Sequence, residues 1–303
     1  MAENINTKQI QWFPGHMAKT RRIMQANLKL VDAVAEIIDA RIPYSSRNPE
    51  MDALTGAKPR VVVLNKADTA DEAVTAQWLA FFQKNNTPAI ALDCRSGKNV
   101  GRFSPLLREV LRERIEGWQR KGMTGRPIRI MLAGIPNVGK SSFINRLAGA
   151  RLTKVEDRPG VTRGKQWISL ESDLELLDMP GVLWPKFEDR RVGEHLAFTG
   201  AVRDEILDTE TLACRLVREL CETEKYREAL YARYKIDAAD ILAQDEADDL
   251  TGCAKGFAIL ERIATKRGFL ISGGGSDTLR CAVTVIDEFR GGKLGRITLE
   301  RPE

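Results

Sequence analysis

The nine residues "GIPNVGKSS" at 134–142 restrict the possible folds of this chain more than any other stretch. They fit G-x-x-x-x-G-K-[ST]. They follow the aliphatic run "RPIRIMLAG" (126–134) and open "KSSFINRLAG" (140–149), whose spacing predicts a helix. Strand, glycine loop and helix in that order predict one βα unit of a mostly parallel sheet. Gly134 and Gly139 let the backbone wrap closely around an anion. The amides of Asn137, Val138, Gly139, Lys140, Ser141 and Ser142 are then aimed at it, helped by the helix N-terminus. Lys140 is expected to reach the β- and γ-phosphates of a nucleotide, and Ser141 to ligate magnesium.

The rest of the chain extends that unit. Strands are predicted over 31–39, 60–68, 87–93 and 173–181, a basic amphipathic helix over 17–30, and one helix over 104–118. Past about residue 190 the texture becomes helical, in "DTETLACRLVRELCETEKYREALYARY", in "GCAKGFAILERIATKRG" and in a last helix ending near Phe289. The expected fold class is α/β, a mostly parallel sheet with helices on both faces, followed by a smaller all-helical domain. The boundary falls between Trp184 and Leu196, giving domains 1–190 and 191–303.

Composition excludes several classes. Among 303 residues, 43% are hydrophobic and 29% charged, enough for a substantial core in a soluble protein. The five cysteines form no C-x-x-C pair, so they are expected to be core residues in a reducing cytosol rather than zinc ligands or disulfides. The opening "MAENINTKQIQW" has no apolar signal-like core, and no run approaches a membrane span. The expectation is a cytoplasmic monomer without a membrane partner. The net charge of +5 permits a polyanionic partner without establishing one.

Further motifs complete a nucleotide site. "DMPG" ends the 173–181 strand; Asp178 suits magnesium, and Gly181 can offer its amide to the γ-phosphate. Between it and the P-loop, "DRPGVTRG" supplies Thr162, a switch threonine expected to reach magnesium and the γ-phosphate. "NKAD" (Asn65, Lys66, Ala67, Asp68) ends the 60–68 strand. Asp68 can accept two hydrogen bonds that guanine offers and adenine does not, Lys66 can lay its stem on the base, and Asn65 can brace the P-loop. "DCRSGK" begins with Asp93 and Cys94, where backbone amides are expected to meet the base carbonyl. The predicted ligands are therefore GTP and GDP. In an ordinary GTPase the base-reading motif follows the P-loop. Here it precedes the P-loop by about seventy residues, so the sheet is expected to be built from a cyclically shifted chain.

With "QWFPGHMAKTRR", "DARIPYSSRNP", "LNKAD", "GIPNVGKSS", "DRPGVTRGKQW", "LELLDMPGVLWPKF" and "KRGFLISGGG", nearly the whole chain resembles the ribosome biogenesis GTPase A family of circularly permuted GTPases. The resemblance implies GTP hydrolysis coupled to late maturation of the large ribosomal subunit, stimulated by that subunit, with rRNA and ribosomal proteins as partners. Val182 and Leu183 follow the "DMPG" glycine and cannot orient water, so the catalytic group must come from elsewhere. His16 is the candidate, as the resemblance also implies, beside Lys140. His195, the second histidine, is expected to be structural. Asn137 stands where several similar P-loops help to hold potassium. Lys19, Arg21 and Arg22, Arg108 to Lys121, and Lys255, Arg262, Lys266 and Arg267 are RNA-contact candidates, against the alternative of solvated helix faces. Two other readings stay open: a GTP-dependent binding switch for a protein partner with little hydrolysis, and an RNA-modifying enzyme timed by GTP.

Overall fold

The computed structural model describes residues 22, 24–149, 166–171, 173–179, 189–202, 208–237 and 253–303. The chain divides into two units, Met1–Glu188 with Glu300–Glu303, and Asp189–Leu299.

The first unit is built on six strands: β1 (Ala33–Asp39), β2 (Arg60–Asn65), β3 (Ala89–Ala91), β4 (Ile128–Gly134), β5 (Gln166–Glu171) and β6 (Leu174–Asp178). Their order is β3-β2-β1-β4-β6-β5. All neighbours run parallel except β5, which runs antiparallel to β6. From β1 the chain winds outward through β2 and β3. It then returns to lay β4 on the other side of β1, passes to β5 at the far edge and comes back as β6 between the two. The direction reverses between β1 and β4, and in open α/β sheets the carboxyl ends of the strands at such a point form the ligand crevice. The strand that carries the base-reading motif, β2, and the strand that carries the P-loop, β4, thus flank β1 on either side.

Every residue of β1 is buried, Glu36 included, as expected of a central parallel strand. Arg60 and Arg47 lie 3.5 and 3.6 Å from the Glu36 carboxylate, and the Asn48 amide donates to it. The short helix α1 (Met51–Thr55) and α2 (Glu72–Lys84) flank β2. Helix α2 is not among the elements expected above, although its signals are present in the sequence. Asp71 caps it by accepting from Ala73 and Val74, and Val74, Trp78 and Phe82, four apart, bury against Ile38, Val62 and Leu64.

The helix expected over 104–118 is instead two, α3 (Phe103–Val110) and α4 (Arg112–Arg120). Leu111 breaks them at φ −99°, ψ 8°. It stays fully buried below α3, whereas α4 buries no residue. One straight helix could not serve both the core and solvent along the same face. Helix α5 (Lys140–Ala148) follows the P-loop.

The second unit is all-helical in its described residues: α6 (Arg190–Phe198), α7 (Thr209–Glu222), α8 (Glu224–Tyr234), α9 (Ala254–Arg267) and α10 (Thr278–Arg290). Asp189, Asp208 and Asp277 cap three of these helices. Gly256 lets α9 approach α7 so closely that any side chain there would overlap the Cys214 carbonyl. Among the described residues no helix is long and apolar enough to cross a membrane, and the described cysteines form no disulfide.

Candidate functional site

The P-loop leaves β4 at Gly134, whose α-carbon packs against β1. A β-carbon there would lie 2.5 Å from the Ile37 carbonyl oxygen. Gly139 has φ +98°, and a side chain on it would collide with the Asn65 amide. Both glycines are therefore set by neighbouring strands as well as by the loop. Gly139 is also the N-cap of α5 and brings no side chain to cap it, so the first-turn amides of Lys140, Ser141 and Ser142 are left for an anion. The buried Lys140 ammonium donates to the carbonyls of Gly134 (3.1 Å) and Ile135 (3.0 Å), folded into the loop that would receive phosphate. Burial lowers its pKa to about 8, opposed by the nearby Asp178 carboxylate.

Asp178 ends β6, in register with Leu132 of β4. Its carboxyl pKa is raised by burial, against the opposing pull of Lys140 and the Met179 amide. Its Oδ1 is buried and has no hydrogen-bond partner among the described residues. A buried carboxylate oxygen left unpaired beside a phosphate loop suits a hard cation. No cluster of three His, Cys, Asp or Glu occurs among the described residues, so such a cation would need oxygens from the nucleotide as well.

Asn65 joins three motifs. Its Nδ2 donates to the Val138 carbonyl in the P-loop at 2.8 Å, and its Oδ1 accepts from the Cys94 amide at 3.2 Å. Lys66, at φ +60°, reaches over the P-loop to the Asn137 carbonyl (2.9 Å) and lies 3.0 Å from Asp39 at the end of β1. Asp39 was not predicted as a site residue. It is fully buried and gripped by Arg41, whose Nε and Nη2 donate at 2.9 and 2.7 Å. Burial alone would raise the Asp39 pKa, but Arg41 and Lys66 hold it well below the usual carboxylate range. A fixed carboxylate thus aims the Lys66 stem. The local signal was "DAR" at a strand end, which in isolation reads only as a turn.

Asp68 is half-buried beside Ala67, and its Oδ2 accepts from Arg95 at 2.9 Å. Arg95 belongs to the Asp93–Lys98 loop, where Asp93 accepts from the Arg95 (2.7 Å) and Ser96 (2.9 Å) amides. Burial pushes the Cys94 thiol up to about 12, so it stays a neutral packed group while its backbone serves the loop.

His16, Thr162 and Gly181 lie outside the described residues, as do Lys19 and Arg21. His195 is buried in the second unit, with Nε2 2.8 Å from Glu219. Two members of the Arg108–Lys121 cluster are engaged within the fold: Arg108 with Asp173 at 2.9 Å and Arg114 with the Asp32 carbonyl at 3.0 Å. In the last cluster Arg267 lies over the Tyr234 ring, and Lys266 is exposed.

Residues 129–240 match the family of 50S ribosome-binding GTPases. Ribosome biogenesis GTPase A of Bacillus cereus is 43% identical over 294 residues, covering 97% of this chain and 94% of its own length. The protein of the same name from Priestia megaterium is 44% identical over 294 residues, covering 97% of each. The GNP-bound crystal structure of YlqF from T. maritima aligns with a TM-score of 0.62 at 27% identity, over 94% of this chain and 99% of that one.

Proposed function

The chain belongs to the ribosome biogenesis GTPase A family, and from that premise we propose that it binds and hydrolyses GTP to drive late assembly of the large ribosomal subunit, with hydrolysis stimulated by that subunit. The observation that carries this reading is the Asn65 side chain, which ties the base-reading motif to the P-loop and to the Asp93–Lys98 loop. Motifs separated by about seventy residues of sequence thereby face one nucleotide.

In this reading Asp68 reads guanine, with Lys66 and Ala67 along the base and Asp93 and Cys94 in the loop beside it. Asn137, Val138, Gly139, Lys140, Ser141 and Ser142 hold the phosphates. Ser141 and Asp178, joined by Thr162, hold magnesium together with phosphate oxygens; the unpartnered Asp178 Oδ1 supports this. Bound there, magnesium offsets the negative charge shared by the β- and γ-phosphates. Gly181 senses the γ-phosphate, and Asn137 helps to hold potassium. His16 orients the attacking water once the subunit is bound. The partner is an rRNA-containing subunit precursor, contacted in part by Lys255, Arg262, Lys266 and Arg267.

One experiment tests the whole. Large subunits are sedimented with the protein and a non-hydrolysable GTP analogue or GDP, and hydrolysis is followed in potassium and in sodium. Co-sedimentation with the analogue, faster hydrolysis on adding subunits, and a further gain in potassium are expected. His16→Ala should still sediment yet lose about 10²–10⁴-fold of the stimulated rate. Sedimentation without any stimulation would instead favour a binding switch with little hydrolysis.

A further inference from the structure

Arg146 lies on α5, less than two turns beyond Lys140, yet its side chain leaves that helix for another element. Its Nε donates to the Cys94 carbonyl at 3.0 Å, and its Nη2 donates to the Arg95 carbonyl. The stem and guanidinium lie flat on Gly97 (φ +88°), where a β-carbon would meet Cδ, Nε and Cζ at 3.5 to 3.6 Å. We propose that Arg146 is a positioning residue for base recognition, clamping the Asp93–Lys98 loop as the wall of the pocket that Asp68 reads. The inference deepens the proposed GTP site and rests on the reading of Asp68 as the base reader.

The geometry gives the reason. In a trans peptide the carbonyl and the following N–H point in opposite directions. Clamping the carbonyls of Cys94 and Arg95 therefore turns the Arg95 and Ser96 amides away from α5, toward the Asp93 carboxylate that accepts both. Asn65 fixes the preceding Cys94 amide. The loop is thus held at consecutive peptide units by three groups, and only Asp93 belongs to the loop itself. Asn65 ties it to the base-reading strand, and Arg146 to the phosphate-binding helix. Arg95, the residue whose backbone is clamped, is also the one whose side chain touches Asp68. Without Arg146 the loop would have to be ordered each time a base binds, which weakens binding. The two Arg146 hydrogen bonds, from Nε and Nη2, both go to loop carbonyls, so the effect belongs to the base end of the nucleotide.

The test is displacement of a fluorescent GDP analogue by GDP, IDP or pyrophosphate, from wild type, Arg146→Ala, Arg146→Lys and Asp68→Asn. Arg146→Ala is expected to weaken GDP and IDP alike by about tenfold and to leave pyrophosphate unchanged. Arg146→Lys, which can reach one carbonyl, should fall between Arg146→Ala and wild type, and it decides the matter if Arg146→Ala fails to fold by circular dichroism. Equal losses for pyrophosphate, or wild-type affinity for GDP, would overturn the proposal. Asp68→Asn separates the two levels. If it binds GDP like wild type, the reading of the base pocket is wrong. If it loses GDP while the Arg146 variants do not, only the role of Arg146 is.

Discussion

Asp68 reaches the base pocket already paired. Arg95 is 77% exposed on its side chain, so the ion pair is screened by water and contributes little, about 0–1 kcal/mol. A guanine offering two convergent N–H donors in a less hydrated pocket can displace it. Asn in place of Asp68 would present an amide N–H where guanine also presents a donor, and that clash is relieved by xanthine, which carries a carbonyl there. Asp68→Asn is therefore expected to lose GDP affinity by up to roughly 10⁴-fold while gaining preference for xanthosine diphosphate. Competition binding with both nucleotides checks this, and equal affinities for GDP in the variant and wild type would place the base elsewhere.

At the scale of the element, α5 and the loop that opens it act as one anion receptor with a titratable centre. Burial lowers the Lys140 pKa to about 8 in the free protein. Phosphate oxygens favour the ammonium form, so binding raises that pKa. Below about pH 8 the lysine is protonated in both states, and affinity is independent of its titration. Above it, binding must take up a proton, and affinity is expected to fall by up to about tenfold per pH unit until the pKa of the bound state is reached. GDP phosphates are already fully ionised in that range. Titration calorimetry from about pH 7 to 8.8, below the range in which the guanine N1–H ionises, in buffers of different ionisation enthalpy, should show proton uptake only on the alkaline side. A flat profile would mean that the phosphates do not meet Lys140.

For the whole molecule, the chain leaves the first unit at Glu188 and contributes Glu300–Glu303 to it again at the end. The Glu300 carboxylate accepts from the Tyr44 amide (2.6 Å), the Ser45 amide (3.0 Å) and the Ser45 hydroxyl, and its carbonyl accepts from the Trp78 indole (3.0 Å). These contacts fix the loop after β1. In the same loop the Ser46 hydroxyl accepts from the Asp39 amide, one step from the carboxylate that aims Lys66. Glu300→Ala leaves the buried Ser45 groups without that acceptor and is expected to destabilise the first unit by about 1–3 kcal/mol. Urea unfolding followed by tryptophan fluorescence measures it, since all five tryptophans belong to the first unit. An unchanged midpoint would mean that the tail merely rests there.

The P-loop, the permuted order and the ends of β1 and β4 were legible because each is a local property, whereas β2 and β6 stop at Asn65 and Asp178, short of the expected 68 and 181. Residues 134–142 are contiguous, and a β-branched run ending in Asn65-Lys66-Ala67-Asp68 announces its own termination. Asn65 bracing the P-loop was legible too, since its partner sits in a motif of fixed shape. What the sequence could not supply were pairings between distant residues with no periodic signature. Arg146 on the Cys94 and Arg95 carbonyls, Asp39 holding Lys66, and Glu300 under Ser45 span 27 to 255 positions, and each partner alone resembles an ordinary surface or turn residue. The break at Leu111 and the strand β5 belong to the same class. Periodicity marks which residues are apolar, but whether a helix must bend to bury one of them depends on the surface it meets. Local chemistry determined which motifs this protein carries, and only the packing of the sheet decided which side chains hold them in place.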